Sequence, residues 1–252
     1  MEVRLLGSGG FVPTRVRETA CVYVRSGARV LLLDAGTGVS RLVEEPSLLR
    51  GVERLDVLLT HFHLDHVVGL GFLPALSDVR VREVWGAGAI VAATSTRDLV
   101  HRLLDPPFFA PSPADVERAF ATAIHDVAPP RAEIGGFSVE LRVQPRHATP
   151  TLAVKVNDVL AYCTDTGYDP ENAAFARGSR LLLHEAFYAG ATSEDSGHSA
   201  SGEAARVAAE AGVERLLLVH VNPEVESEEE LVRFARERFP ASEIGRDGPV
   251  AT

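Results

Sequence analysis

Short apolar blocks dominate the first third of the chain, with the alternation and turn chemistry of strands. Val3–Leu6 is apolar and gives way to a Gly7-Ser8-Gly9-Gly10 loop. Ala20–Arg25 and Arg29–Asp34 flank Ser26-Gly27-Ala28, which predicts a hairpin with a short glycine-containing turn. Leu55–Leu59 predicts a buried strand running straight into Thr60-His61, and Val79–Trp85 a further strand. Helical spacing follows at Thr94–Leu104 and Ser112–Ala123. Between them, Asp105–Pro111 cannot be helix, because its prolines lack an amide donor and clash with a helical turn.

The later sequence again runs from strands to helices. Strands are expected near Phe137–Val143, Leu152–Val156 and Val159–Thr164, the last two joined across Asn157-Asp158, and at Leu181–His184. A helix over Gly202–Ala211 stopped by Gly212, a strand Arg215–Val219 and a helix Glu228–Arg238 stopped by Pro240 complete the pattern. Two runs of strands separated by helical stretches predict one α/β domain over residues 1–252, a layered sandwich with helices outside two sheets.

Composition narrows the class. A hydrophobic content of 46% and a charged content of 24% are those of a soluble globule and exclude a disordered or fibrous chain. No apolar run approaches the ~18–20 residues of a membrane span, and the start lacks the charged-then-apolar build of a secretory signal. Cys21 and Cys163 lack CxxC spacing and read as buried thiols of a reducing compartment, so a cytoplasmic protein is expected. The formal net charge is −10, and Lys155 is the one lysine. An acidic chain repels phosphate backbones, which disfavours RNA and other long polyanions as partners.

The chemistry concentrates in Thr60-His61-Phe62-His63-Leu64-Asp65-His66, directly after an apolar strand. Imidazole and carboxylate are the donors zinc takes when thiolates are absent. Residues two apart in an extended segment face the same way, so His61 and His63 can grip one ion. If the chain turns after Leu64, Asp65 and His66 approach a second.

This HxHxDH segment resembles the hallmark of the metallo-β-lactamase fold superfamily, which implies a four-layer αββα sandwich. The resemblance extends to His147 in Gln144–Pro150, to Asp165 in Tyr162–Gly167 and to His220 after Leu216–Val219. It implies a first metal on His61, His63 and His147 and a second on Asp65, His66 and His220, with Asp165 bridging both. Two dications about 3.5–4 Å apart repel, so a bridging carboxylate and a bridging hydroxide, the expected nucleophile, would hold them together. Zinc is the expected ion, with manganese or iron open, since N/O sites select metals poorly by affinity. Asp34 either supports the ligands or caps the Gly36 turn.

Two later segments, His184-Glu185-Ala186-Phe187 and Gly197-His198-Ser199-Ala200-Ser201, resemble paired loops of the ribonuclease Z branch and related phosphodiesterases. The resemblance implies that His198 donates a proton to the leaving oxygen, oriented by Glu185, with Asp65 also in the catalytic set. A helix N-terminus lowers the pKa of a nearby imidazole and a carboxylate neighbour raises it. The bland alternative makes His198-Ser199-Ala200-Ser201 a helix cap and His184-Glu185 a polar strand end.

The long, basic, glycine-rich arm of ribonuclease Z proper is missing after His147, where Ala148–Val159 carries one lysine. The expected substrate is therefore a small or cyclic phosphodiester, with an RNA 3′ end disfavoured but open, and a homodimer is in prospect. The alternatives are a thioester or lactone hydrolase of the same fold and a non-catalytic metal-binding domain. Phe108-Phe109 reads as a packed surface loop or a lid, and Glu224–Glu230 as a solvated helix cap rather than a cation site.

Overall fold

The computed structural model describes residues 1–76, 79, 81–109, 123–194, 197–225 and 227–250. Fourteen strands among them form two seven-stranded sheets. The first holds β14 (Gly248–Val250), β1 (Glu2–Gly7), β2 (Cys21–Ser26), β3 (Arg29–Leu33), β4 (Arg54–Leu59), β5 (Val81–Gly86) and β6 (Ala123–Asp126), in that spatial order. The second runs β13 (Ser242–Ile244), β12 (Arg215–Val219), β11 (Leu181–Glu185), β10 (Leu160–Cys163), β9 (Thr151–Val156), β8 (Phe137–Gln144), β7 (Arg131–Ile134).

Strand periodicity builds the layers, because alternate side chains leave opposite faces. Val22, Val24, Leu31 and Leu33 point inward to meet Leu152, Val154, Leu183 and Leu217 of the other sheet. Cys21, Tyr23, Val30 and Leu32 point outward under helical segments that include Ser40–Glu44 and Thr96–Leu104. On the second sheet Ala161, Cys163, Leu182 and Leu216 face outward against the helices Glu171–Ala176, Ser201–Ala211 and Glu228–Arg236. The predicted helix–sheet–sheet–helix order stands. Both cysteines are buried and unpaired, and burial pushes the Cys163 thiol up to about 12. No helix among the described residues is long and apolar enough to cross a membrane.

Both sheets have the same internal plan: three antiparallel pairings followed by three parallel ones. Hence β1, β3 and β4 run one way in the first sheet, and β8, β10, β11 and β12 run one way in the second. The ends of these strands and the segments that follow them carry every side chain expected at the functional site.

The helix predicted at Thr94–Leu104 spans Thr96–Leu104, with Ser95 accepting the Asp98 amide. The one predicted over Ser112–Ala123 lies outside the described residues, except that Ala123 opens β6 and is strand. The final helix stops at Arg236, two residues short of expectation, and Ser227 accepts the Glu230 amide as its cap. Gly212, at φ 70°, ends the Ser201–Ala211 helix in the left-handed conformation that glycine tolerates best. Phe109 packs over Gly71 and the outer core, while Phe108 is 87% exposed. Asp56 interrupts the apolar run of β4 yet is fully buried, and bonds from Arg54 and Trp85 satisfy its carboxylate.

Leu33 is fully buried between the sheets, one residue before the site. Leu33→Ala is expected to cost about 2–5 kcal/mol through lost burial and the cavity left behind. The check is urea unfolding, with the midpoint falling and the slope unchanged.

Candidate metal centre

The rim where the parallel strands end gathers all seven expected ligands. Asp34 (φ 62°) follows β3, Asp165 (φ 47°) follows β10 with Thr164 between, and His220 (φ 51°) follows β12. Left-handed backbone is uncommon outside glycine and costs of order 1–3 kcal/mol, so three such residues at strand ends mark where the chain is bent to aim a side chain. After β4 the chain stays extended through His61 and His63, then turns into a short helix, Leu64–Val67, that brings Asp65 and His66 inward. His147 lies between β8 and β9.

Two sets of donor atoms result. In the first, donor atoms of His61, His63, His147 and Asp165 lie within 4.8 Å of one another. His147 Nε2 is 3.2 Å from His63 Nδ1 and 3.7 Å from Asp165 Oδ1, and His61 Nε2 is 3.8 Å from that same oxygen. The second set comprises Asp65 Oδ2, His66 Nε2, His220 Nε2 and Asp165 Oδ2. Five of its six separations, all but that between the two carboxylates, lie between 3.0 and 3.5 Å. A tetrahedral ion with bonds of about 2.0–2.1 Å holds its donors about 3.3 Å apart. Asp65, His66 and His220 have about that spacing, and the buried Nε2 of His61 has no hydrogen-bond partner. These residues can hold divalent metal.

The second ring nitrogens of His61, His66 and His147 are held by hydrogen-bonding neighbours. Asp34 Oδ2 lies 2.9 Å from His66 Nδ1 and accepts the Tyr162 hydroxyl at 3.1 Å. Its Oδ1 accepts the Thr60 amide at 2.7 Å, and Thr60 Oγ1 is 3.0 Å from His61 Nδ1. His147 donates from Nδ1 to the Gly197 carbonyl, 2.8 Å away. Such bonds fix which nitrogen faces an ion. Asp34 thus supports the cluster, as one of its two expected roles required. Gly10 is needed for space: a β-carbon there would lie 2.5 Å from the His220 ring.

Electrostatics fit the same arrangement. Burial, reinforced by neighbouring imidazoles, pushes His61 and His63 below the usual histidine value, and burial does the same to His147. Neutral imidazole is the form that binds metal. Burial works against charge on Asp165 and on His66 too. For Asp165, His220 and His66 outweigh it and keep the carboxyl well below the ordinary carboxylate range. For His66, Asp165 and Asp34 outweigh it and keep the imidazole well above its ordinary value. A proton on His66 Nε2 and a divalent cation compete for one place.

Beside the cluster, Glu185 at the end of β11 is fully buried. Its Oε1 accepts the Thr166 amide in a short bond and its Oε2 lies 2.9 Å from His198 Nδ1. The His198 ring stacks on Phe187 at 4.4 Å and lies edge-on to His147 at 4.8 Å. A donor atom of His198 is within 4.8 Å of Asp165 and His220. The neighbouring helix begins without it: Glu203 reaches back to the Ala200 amide, and Ser199 bonds the Thr166 carbonyl. Sequence reasoning missed Thr60, Tyr162 and the Gly197 carbonyl. Thr60 was within the motif, but the other two act across strands and loops and leave no local signal.

The comparisons agree with this geometry. Residues 29–221 match the β-lactamase superfamily domain family. Ribonuclease Z of Bradyrhizobium sp. (strain ORS 278) is 30% identical over 299 aligned positions, covering 98% of this chain and 97% of that protein. In fold, the chain is similar to the metallo-β-lactamase fold protein YhfI from Bacillus subtilis, with a TM-score of 0.77, 22% identity and coverage of 98% and 96%. It is also similar to a diphosphatase from the PhnP family, with a TM-score of 0.71, 17% identity and coverage of 100% and 97%. With the family match running from the first residue of β3 to the residue after His220, the chain belongs to the metallo-β-lactamase superfamily, in its ribonuclease Z-like branch, and is a metal-dependent hydrolase.

Proposed function

We propose that this protein hydrolyses a small phosphodiester, using two divalent ions, zinc first among the candidates. His61, His63 and His147 would hold one ion, Asp65, His66 and His220 the other, and Asp165 both. When bound, such a pair supplies a hydroxide nucleophile at neutral pH and neutralises the phosphoryl oxygens.

The observation that carries the reading is the Glu185–His198 pair beside the cluster. With Nδ1 held by Glu185, His198 is oriented to give the proton on Nε2 to the departing oxygen. The carboxylate favours the imidazolium that must donate. Glu185 is itself fixed by the Thr166 amide, one residue beyond Asp165, so the proton donor is referenced to the same loop as the central carboxylate.

A small substrate is supported by size and charge. The alignment with the Bradyrhizobium ribonuclease Z spans 299 positions, at least 47 more than this chain's 252 residues, so that relative carries insertions this chain lacks. Only three residues, Ala148–Pro150, separate His147 from β9. The net charge of −10 opposes a long polyanion.

Purified, metal-loaded protein is expected to contain about two divalent ions per chain by mass spectrometry of the metals, and to lose phosphodiesterase activity with chelator. A folded, active protein without metal would overturn the proposal. His198→Ala is expected to slow a phosphodiester with a poor leaving group by about 10²–10⁴-fold and to retain the metal. A p-nitrophenyl ester, whose leaving group needs little protonation, should be affected far less. Asp34→Asn, which disturbs the support of His66 without removing a proposed ligand, is expected to weaken metal affinity about 10–100-fold in chelator competition.

A further inference from the structure

We propose that Gln144 and Thr151, two buried residues outside the proposed ligand set, are positioning residues for the first metal set. Their side chains fix where Asp165 and His61 stand relative to His147. The inference rests on the two-ion reading of the site and gives one of those ions a support of its own.

The pair closes the end of the β8–β9 hairpin. Gln144 is the last residue of β8 and Thr151 the first of β9, the two are register partners, and both are fully buried. The segment between them carries His147. Gln144 Nε2 donates to Thr151 Oγ1 at 2.8 Å, so a side-chain bond as well as the ladder joins the two ends of that segment.

The same two side chains reach the segment of Asp165. The second proton of Gln144 Nε2 goes to the Thr164 carbonyl at 2.9 Å, and Thr151 Oγ1 donates to the Asp165 carbonyl at 3.2 Å. Those carbonyls belong to the peptides on either side of the Asp165 α-carbon, where φ is 47°. A residue other than glycine keeps a left-handed conformation only where its surroundings over-determine it. Holding both peptides fixes the backbone that aims the carboxylate. On the other flank, the Leu152 amide donates to the Thr60 carbonyl at 3.0 Å, one residue before His61. The end of β8 and the start of β9 thus tie together the segments that bear His61, His147 and Asp165.

Stability alone does not account for Gln144. A side-chain amide offers two donors and an acceptor. Both donors are used, whereas the buried Oε1 has no hydrogen-bond partner among the described residues. An unmet buried acceptor is destabilising, and an apolar residue of the same length would avoid it. The amide is explained if its two donors are needed where they point. The second set is braced elsewhere: Asp34 holds His66, the Phe11 amide holds Asp65, and the Thr164 hydroxyl holds the Asp165 oxygen that faces that set.

The experiment reads metal affinity by chelator competition on metal-loaded protein, without turnover. Thr151→Val keeps the shape and removes the hydroxyl; Gln144→Met keeps the length and removes the amide. Each is expected to weaken one of the two ions about tenfold while the other holds. Two backgrounds identify the ion. In His220→Ala, which leaves the first set complete, Thr151→Val should weaken the remaining ion in full. In His147→Ala, which leaves the second set complete, it should change little. Thr151→Ser returns the hydroxyl and should return the affinity. Should Thr151→Val fail to fold, Gln144→Met carries the same comparison. Unchanged affinity in the variants would overturn the inference and leave the two-ion reading in place. So would equal weakening in the two backgrounds, or a Thr151→Ser protein as weak as Thr151→Val, because either marks a general loss of packing. A wild-type protein that binds fewer than two ions would remove the two-ion reading and the inference with it.

Discussion

The Asp165 carboxylate is the one charge on which the arrangement of the rim depends. It is 2% exposed, and its two oxygens face different sets of imidazoles. Four histidines meeting it at a buried edge would otherwise present lone pairs and ring N–H groups to one another with nothing to organise them. A buried anion is costly alone and tolerable only when paired. Here Thr164 donates its hydroxyl to Oδ2 at 2.7 Å, and the left-handed backbone at Asp165 keeps the carboxylate pointed across the rim toward residues of the other sheet. The carboxylate therefore serves as a hinge pin between the sheets as well as the centre of the cluster.

The shared plan of the two sheets explains where that charge comes from. β3 and β10 each stand between an antiparallel and a parallel neighbour, and each is followed by a left-handed aspartate, Asp34 or Asp165. Equivalent positions have taken different tasks. Asp34 turns to its own sheet, accepting from Thr60 and holding His66, and reaches the other sheet through the Tyr162 hydroxyl. Asp165 faces the donor atoms directly. The end of β4 supplies imidazoles, whereas the end of β11 supplies Glu185 and, through it, His198. The first sheet thus carries most of the clustered imidazoles, and the second carries the central anion and the Glu185–His198 pair.

Much of this was legible in the sequence for a physical reason. Long inner strands with β-branched and leucine alternation announce themselves, as do caps such as Ser227 and stops such as Gly212. The unread elements are those that context makes. β6, β7, β13 and β14 are three or four residues long and lie at or next to sheet edges, where a neighbour's hydrogen bonds rather than their own composition define them. The helix Glu171–Ala176 is a single turn and a half after Pro170, too short to show a period. At the site, a dense motif such as Thr60–His66 is readable because its donors are sequence neighbours. His147, Asp165 and His220 became readable only through family resemblance, and Tyr162 and Gly197 remained silent because their contribution is a contact across the fold.

The same distinction separates the two readings of His198. A cap and a proton donor make the same demand on sequence, a polar residue just before a helix, and only the partners tell them apart. The Ala200 amide is met by Glu203 from within the helix, and the first-turn amides of Ser201 and Gly202 by the carbonyls of Tyr188 and Gly190. His198 is instead clamped between the Phe187 ring and a fully buried carboxylate, with His147 and His220 as its other ring neighbours. Burying Glu185 to hold an imidazole that the helix does not need is a cost without return in stability. It is explained if the orientation of that imidazole toward the cluster is what the two loops are built to provide.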